Sequence, residues 1–126
     1  MLQGEPKDMT STSQIENQTR METGKQAFLR SFPYEKGFHF YTELGKYSGM
    51  TATNIDEFAR KLQVVPAESV NFHLQRDDFQ IWLKNPIGDE ELALRIERFK
   101  RRSRLSGENL RRELLVIVQR RLAELR

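Results

Sequence analysis

The central stretch of the chain reads Ser69-Val70-Asn71-Phe72-His73-Leu74-Gln75-Arg76-Asp77-Asp78-Phe79-Gln80-Ile81-Trp82-Leu83. It holds the single Trp of the chain, one of its two His and two of its eight Phe. Phe72, Phe79 and Leu83 recur near helical spacing, which predicts a buried helical element. The adjacent Asp77 can begin a second helix as its N-cap. We therefore expect two short helices with a bend near Arg76, in preference to one unbroken helix.

Size and composition are those of a small water-soluble domain. The 126 residues suit one domain, and 31% of them are charged against 37% hydrophobic. The chain has no apolar run near the roughly 20 residues that a transmembrane helix needs, and no secretory signal is visible at its start. The lack of Cys excludes disulfides, thiolate catalysis and zinc–thiolate sites. We expect a cytoplasmic protein with no membrane partner.

The two ends of the chain differ in character. Residues 1–26 are rich in Thr, Ser, Gln and Glu, and their few apolar residues keep no period. Such a segment buries too little surface to offset the entropy of ordering, so it is predicted to be a disordered tail. Residues 27–126 are predicted to form a single helical domain.

Capping residues mark the expected helices after the tail. Asn54 or Thr53 can cap the first helix, with Glu57 as the capping-box partner of Asn54. Asp89 precedes a helix from Glu90 to about Arg102, and Ser106 precedes the last helix. We expect a mainly α, compact four- to five-helix domain with an aromatic extended segment. The residues expected to be buried are Phe72, Phe79, Trp82, Ile96, Phe99, Leu114 and Ile117.

The aromatic segment Phe38–Thr42 alternates like a strand. Gly45, Ser48 and Gly49 indicate a loop after it, and no second strand is recognisable. The segment should therefore lie over the helices or pair with another subunit through its edge. The aromatic residues of this part can either fill a core or stack on nucleic-acid bases. They are Phe38, Phe40, Tyr41, Tyr47 and Trp82.

Charge is unevenly distributed. Residues 95–126 hold eleven Arg and Lys and four Glu, so their charge is 11 − 4 = +7, whereas residues 1–94 carry 10 − 14 = −4. The basic end can attract nucleic acid or an acidic partner, or it can neutralise its own domain. If nucleic acid binds, the candidate phosphate contacts are Arg98, Arg101, Arg102, Arg104, Arg111 and Arg112. The alternative is a solvated, helix-supporting charged face.

A second set of candidate binding residues lies in the central stretch. Its members are His73, Arg76, Asp77, Asp78 and Trp82. An imidazole beside a carboxylate can act as a general base, and the same groups can also form a polar network that locks two helices together. No Ser or Cys has a recognisable nucleophile setting, and His39 and His73 lack metal-ligand spacing. We therefore expect no catalytic residue, no metal and no cofactor.

A recognisable residue pattern runs from Asn54 to Leu94. Its members are Phe58, Leu62, Ser69, Phe72-His73, Arg76, Asp78-Phe79, Trp82, Gly88-Asp89 and Leu92-Ala93. The pattern resembles that of a family of small uncharacterised prokaryotic domains, a domain of unknown function, and the resemblance extends over residues 37–125. It implies a helical domain and no known activity.

Three function classes remain. The first is a non-enzymatic protein-interaction or regulatory module, whose partner is another protein or a second copy bound through the last helix or the Phe38–Thr42 edge. The alternative is nucleic-acid binding through the basic C-terminal helices. An enzyme that uses His73 with Asp77 or Asp78 is the least favoured.

Overall fold

The structure is a computed structural model that describes residues 25–126, so the predicted tail lies almost wholly outside the described residues. A single 3₁₀ turn, Tyr34–Lys36, leads into strands β1 (Phe38–Glu43) and β2 (Lys46–Ala52). The helices are α1 (Ile55–Val64), α2 (Ala67–Gln75), α3 (Asp78–Trp82), α4 (Glu90–Arg102) and α5 (Gly107–Leu125), with a π-helical turn, Leu83–Ile87, after α3. The predicted mainly helical fold is confirmed, with a small sheet added to it.

The two strands form a hairpin that the sequence did not predict. β1 pairs antiparallel with β2, so that Phe38 faces Ala52 and Phe40 faces Met50. The expectation of a loop at residues 45–49 and of a strand without a partner in its own chain is therefore wrong. The reason is that β2 lacks apolar alternation and contains Gly49, which has a positive φ of 88° beside an irregularity of the ladder. Gly45, with a φ of 80°, belongs to the turn between the strands.

Local side chains fix the helix starts, as predicted for α1 and α4. Asn54 Oδ1 accepts a hydrogen bond from the Glu57 N–H at 2.7 Å, and Glu57 Oε1 accepts in return from the Thr53 N–H at 2.7 Å. Asp89 Oδ1 accepts from the Leu92 N–H at 3.1 Å. Each such cap is worth about 1 kcal/mol. Ser106 occupies the N-cap of α5, but its side chain makes no capping hydrogen bond.

The central stretch bends where the two-helix prediction placed the bend. α2 ends at Gln75 and α3 begins at Asp78, with Asp77 between them in the left-handed conformation (φ 66°). Asp77 occupies the N-cap position of α3 as predicted, but its side chain does not make the predicted capping hydrogen bond. Its carboxylate instead accepts hydrogen bonds from Lys100 Nζ of α4 at 2.6 Å and from Gln80 Nε2 at 3.1 Å.

An aromatic cluster forms the centre of the core, between the hairpin and the helices. The Phe38 ring lies 4.7–5.7 Å, centroid to centroid, from the rings of Phe40, Phe58, His73, Phe79 and Trp82. Of the residues predicted to be buried, Phe79, Trp82, Ile96, Phe99 and Leu114 are buried.

Phe72 and Ile117 are only partly buried, so their predicted full burial is wrong. Phe72 lies at the rim of the core, where the guanidinium of Arg76 covers its ring at 5.1 Å. Ile117 lies on the face of α5 that lines an open groove beside α4.

A buried ion pair joins the start of α4 to α5. Arg121 Nε donates to Asp89 Oδ2 at 2.9 Å and Arg121 Nη2 donates to Asp89 Oδ1 at 3.0 Å. The Asp89 side chain is fully buried and the Arg121 side chain is 10% exposed. Asp89 therefore caps one helix and binds another through the same carboxylate.

Candidate functional site

The imidazole of His73 is buried at the junction of α2, α3 and β1. Its Nε2 lies 2.7 Å from the backbone N of Tyr41, and its Nδ1 lies 2.8 Å from Asp78 Oδ2. Because a backbone N–H can only donate, Nε2 must be the acceptor and the ring proton must lie on Nδ1, where it is donated to Asp78. Both ring nitrogens are thus occupied by groups of the fold.

The electrostatics of His73 agree with a neutral ring. Burial lowers the pKa of His73 below its ordinary value, and the hydrogen bond to Asp78 opposes that shift only in part. Protonation would place an Nε2–H against the N–H of Tyr41. Since a general base needs a free lone pair within reach of its substrate, the geometry supports a structural role for this imidazole.

We expect His73 to make the domain less stable as the pH falls below about 6.5. The pKa of His73 is lower in the folded state than in the unfolded state, so the unfolded chain takes up the proton first as the pH falls. The stabilisation is therefore complete above the unfolded-state pKa and is lost as the pH falls toward the folded-state pKa. Urea unfolding between about pH 5 and about pH 8 measures this loss. His73→Gln should flatten the pH profile of stability. Equal pH profiles for wild type and His73→Gln would contradict the expectation.

Arg76 completes a small network with His73 and Asp78. Arg76 Nε donates to Asp78 Oδ2 at 3.1 Å, and the Arg76 side chain is 47% exposed. The structure therefore brings together three of the five predicted binding residues. Asp77 points to α4, as described, and Trp82 is buried with its indole N–H donating to the Lys36 carbonyl oxygen at 3.0 Å.

A cavity of about 450 Å³ opens beside this network, between the hairpin and α2. We call it the hairpin cavity. Its walls are mainly apolar, and Leu44, which is 74% exposed, lies at its hairpin side. The residues that line it are Gly37, Phe38, His39, Tyr41, Leu44, Gly45, Phe72, His73, Arg76 and Asp78. Leu44 and Phe72 were not among the candidates from sequence, because their exposure depends on how the hairpin packs.

A second groove, the α3–α4 groove, is lined by Asp77 among other residues and has a volume of about 680 Å³. Ile81 and Leu94 line it and are 54% and 43% exposed. Gln80 also lines it, and its Nε2 donates to Asp77 and to Glu97. Apart from Ala93, the other lining residues are polar, and none of the lining residues is aromatic, in contrast to the hairpin cavity.

The six arginines predicted as phosphate contacts do not form one uniform surface. Arg101 pairs with Glu97 at 2.8 Å and Arg111 pairs with Glu108 at 2.8 Å. Arg111 also donates to the Leu62 carbonyl oxygen, and Arg112 donates to Asn109. Arg98 and Arg102 line a groove between α4 and α5, whereas Arg104 is exposed in the link between those helices.

The aromatic set proposed for base stacking is divided by the fold. Phe38, Phe40 and Trp82 are buried in the core. Tyr41 and Tyr47 pair across the hairpin with ring centroids 5.5 Å apart and retain exposed surface. Within residues 25–126, no group of three His, Asp or Glu side chains is arranged to hold a metal ion.

Comparison with known proteins gives a family and no activity. The model of a family of unknown function, DUF5752, matches residues 35–126. No curated protein matches the chain, and no solved structure matches it. The predicted resemblance to a family of unknown function is thereby confirmed, while its prokaryotic origin stays a prediction. In the part of the chain that the structure describes, no helix is both long enough and apolar enough to cross a membrane.

Proposed function

The chain belongs to the DUF5752 family, a family of unknown function, and we propose that it is a non-enzymatic protein-interaction module that binds a partner segment in the hairpin cavity. The observation that supports this proposal is the composition of the cavity wall. Phe72, Tyr41 and Leu44 surround it, and the charged pair Arg76–Asp78 lies at its rim. Aromatic residues and Arg are the residue types that dominate binding energy at protein interfaces.

The cavity suits an apolar side chain of the partner beside a hydrogen-bond acceptor. Arg76 uses Nε for Asp78, and its two Nη atoms donate to no acceptor among residues 25–126. The guanidinium is held over the Phe72 ring at 5.1 Å, which fixes its plane before a partner arrives. A carbonyl or carboxylate oxygen of the partner can therefore bind Arg76 while the neighbouring apolar side chain enters the cavity.

A displayed peptide library selected against the full chain tests this proposal. Selected peptides should carry an apolar anchor, and Leu44→Glu or Arg76→Ser should each weaken their binding at least about tenfold, because each change removes a contact at the rim. Ile81→Glu in the α3–α4 groove is the matched control and should leave the affinity unchanged. Both Leu44 and Ile81 are exposed, so urea unfolding should show equal stability for Leu44→Glu and Ile81→Glu. Failure to select any peptide, or peptides sensitive only to Ile81→Glu, would count against the hairpin cavity.

Self-association has less support. The apolar side of α5 is used inside the subunit, where Leu110, Leu114, Val118, Leu122 and Leu125 are buried. On the β1 edge, the Tyr41 N–H is already bound by His73. An incoming strand would have to displace that bond, so we favour a different protein as the partner.

The enzyme hypothesis also has less support, even though His73 and Asp78 line a cavity. Nε2, the one nitrogen of His73 that could accept a proton, already accepts the Tyr41 N–H. Asp77 faces Lys100 rather than His73.

A cytoplasmic location stays a prediction from the sequence.

Nucleic-acid binding through the basic residues of α4 and α5 is the second candidate function. Its support is narrower than the sequence suggested, because Arg101 and Arg111 are neutralised by glutamates. Arg98 and Arg102 are exposed and pair with no carboxylate among residues 25–126. They share a groove with Arg120, which was not among the predicted contacts.

A further inference from the structure

We propose that the groove between α4 and α5 binds the phosphate groups of a nucleic acid. The inference rests on the second candidate function and gives it a defined site, separate from the hairpin cavity. The α4–α5 groove has a volume of about 400 Å³. Its lining residues are Arg95, Arg98, Arg102, Ile117, Arg120 and Glu124.

The groove is formed by one regular face of each helix. On α4 the lining residues are at positions 95, 98 and 102, and on α5 they are at positions 117, 120 and 124, which is the i, i+3, i+7 spacing of a single helical face in both cases. Arg98 and Arg102 are therefore on one wall and Arg120 is on the other. Basic side chains approach the groove from two sides.

The charges of the groove are only partly neutralised. Four Arg and one Glu line it, so the lining charge is 4 − 1 = +3. Arg95 pairs with Glu91 and Glu124. The hydrogen bonds that Glu124 accepts from Arg95 and Arg121 lower its pKa to about 2. Glu124 is therefore ionised at neutral pH and already paired with Arg95 and Arg121. The unpaired positive charge belongs to the remaining three arginines, which have no carboxylate partner within residues 25–126.

Phosphate matches this arrangement better than carboxylate does. A guanidinium presents a planar fork of donors, and a phosphate offers oxygens in several directions that can accept from both walls at once. Arg98 and Arg102 are four residues apart, about 6 Å along the helix axis, so they can bind the same phosphate or neighbouring ones. Arg102 is already oriented by its position over the Phe99 ring, 5.7 Å from the guanidinium carbon to the centroid.

The groove wall also indicates how selective the binding is. Ile117 is the only uncharged side chain in the lining, and Phe99 beneath Arg102 is 4% exposed, so the site offers no aromatic surface on which bases can stack. Contacts to phosphates position a strand but carry no sequence information. The expected ligand is therefore a nucleic-acid backbone bound without sequence preference.

Fluorescence anisotropy with a labelled oligothymidylate tests the inference in the full chain. At about 50 mM salt the oligonucleotide should bind, and the logarithm of affinity should fall against the logarithm of salt with a slope of about −2, since three phosphates contribute about −0.7 each. The groove variant Arg98→Gln/Arg102→Gln/Arg120→Gln should lose at least about tenfold in affinity and most of that slope. The control variant Arg101→Gln/Arg104→Gln/Arg112→Gln loses the same charge and should keep both the wild-type affinity and the wild-type salt slope.

The outcomes separate the site from the function. No binding by the wild type would overturn both the groove and the second candidate function. If the two variants lost equal amounts of affinity, or if the control variant lost more, only the assignment to the groove would be overturned. A competing poly-glutamate of equal charge should displace the oligonucleotide poorly; displacement at equal concentration would overturn phosphate as the ligand and assign the groove to an acidic peptide. Urea unfolding of both variants should match that of the wild type, because all six arginines are exposed.

Discussion

Replacing Arg121 by Met should lower the free energy of unfolding by about 3–5 kcal/mol, because it leaves the Asp89 carboxylate buried without a counter-charge. Asp89 is fully buried, and Arg121 supplies two of its hydrogen bonds. Met keeps much of the aliphatic stem of Arg, so the loss comes from the charge rather than from packing. Chemical denaturation in urea measures the effect as a lower midpoint.

Two further variants separate the ion pair from general effects of changing α5. Arg120→Met alters the exposed neighbour of Arg121 and should change stability by less than about 0.5 kcal/mol. Asp89→Asn combined with Arg121→Met removes both charges, while the amide oxygen can still accept the Leu92 N–H. The double variant should therefore be more stable than Arg121→Met alone. Equal stability of the Arg120 and Arg121 variants would show that the buried pair contributes nothing.

Local chemistry explains why the helices could be predicted from the sequence. The start of α4 depends on Asp89, which bonds to a residue three positions later, and its end coincides with Lys100, Arg101 and Arg102. The bend lies at Asp77, and Asp is among the few residue types that tolerate the left-handed conformation found there. β2 depends on a different kind of information, because only its pairing with β1 makes it a strand. Ser48 and Gly49, which by themselves favour a loop, lie unpaired at the irregularity of the ladder.

The candidate site shows the same division between local and tertiary information. His73 and Asp78 lie on either side of the bend between α2 and α3. The spacing predicted a carboxylate near the imidazole but left Asp77 and Asp78 as alternatives. The third partner, the Tyr41 N–H, is 32 residues away and could not be. Its presence changes the interpretation of His73 from a candidate base to a structural acceptor. Likewise, Arg120 joins Arg98 and Arg102 only because α5 packs back along α4.

Truncating a buried side chain of the hairpin should cost as much stability as breaking the ion pair. Phe38→Ala should lower the free energy of unfolding by about 3–5 kcal/mol. Phe38 is 5% exposed, and its ring contacts five other rings from β1, α1, α2 and α3. Truncation would remove those contacts and leave a cavity that the surrounding rings can fill only in part, because both the hairpin and the helices hold them in place.

Two measurements check the effect of Phe38→Ala against Tyr47→Ala, which truncates a ring on the exposed face of the same hairpin. Urea unfolding should show the large loss for Phe38→Ala and less than about 1 kcal/mol for Tyr47→Ala. The emission of Trp82, whose ring lies 5.7 Å from that of Phe38, should shift toward the red in the Phe38 variant only, because water or polar groups then come nearer to the indole. If both variants lost stability equally, or if Trp82 emission stayed unchanged in a destabilised Phe38→Ala protein, Phe38 would not be the residue that joins the hairpin to the helices.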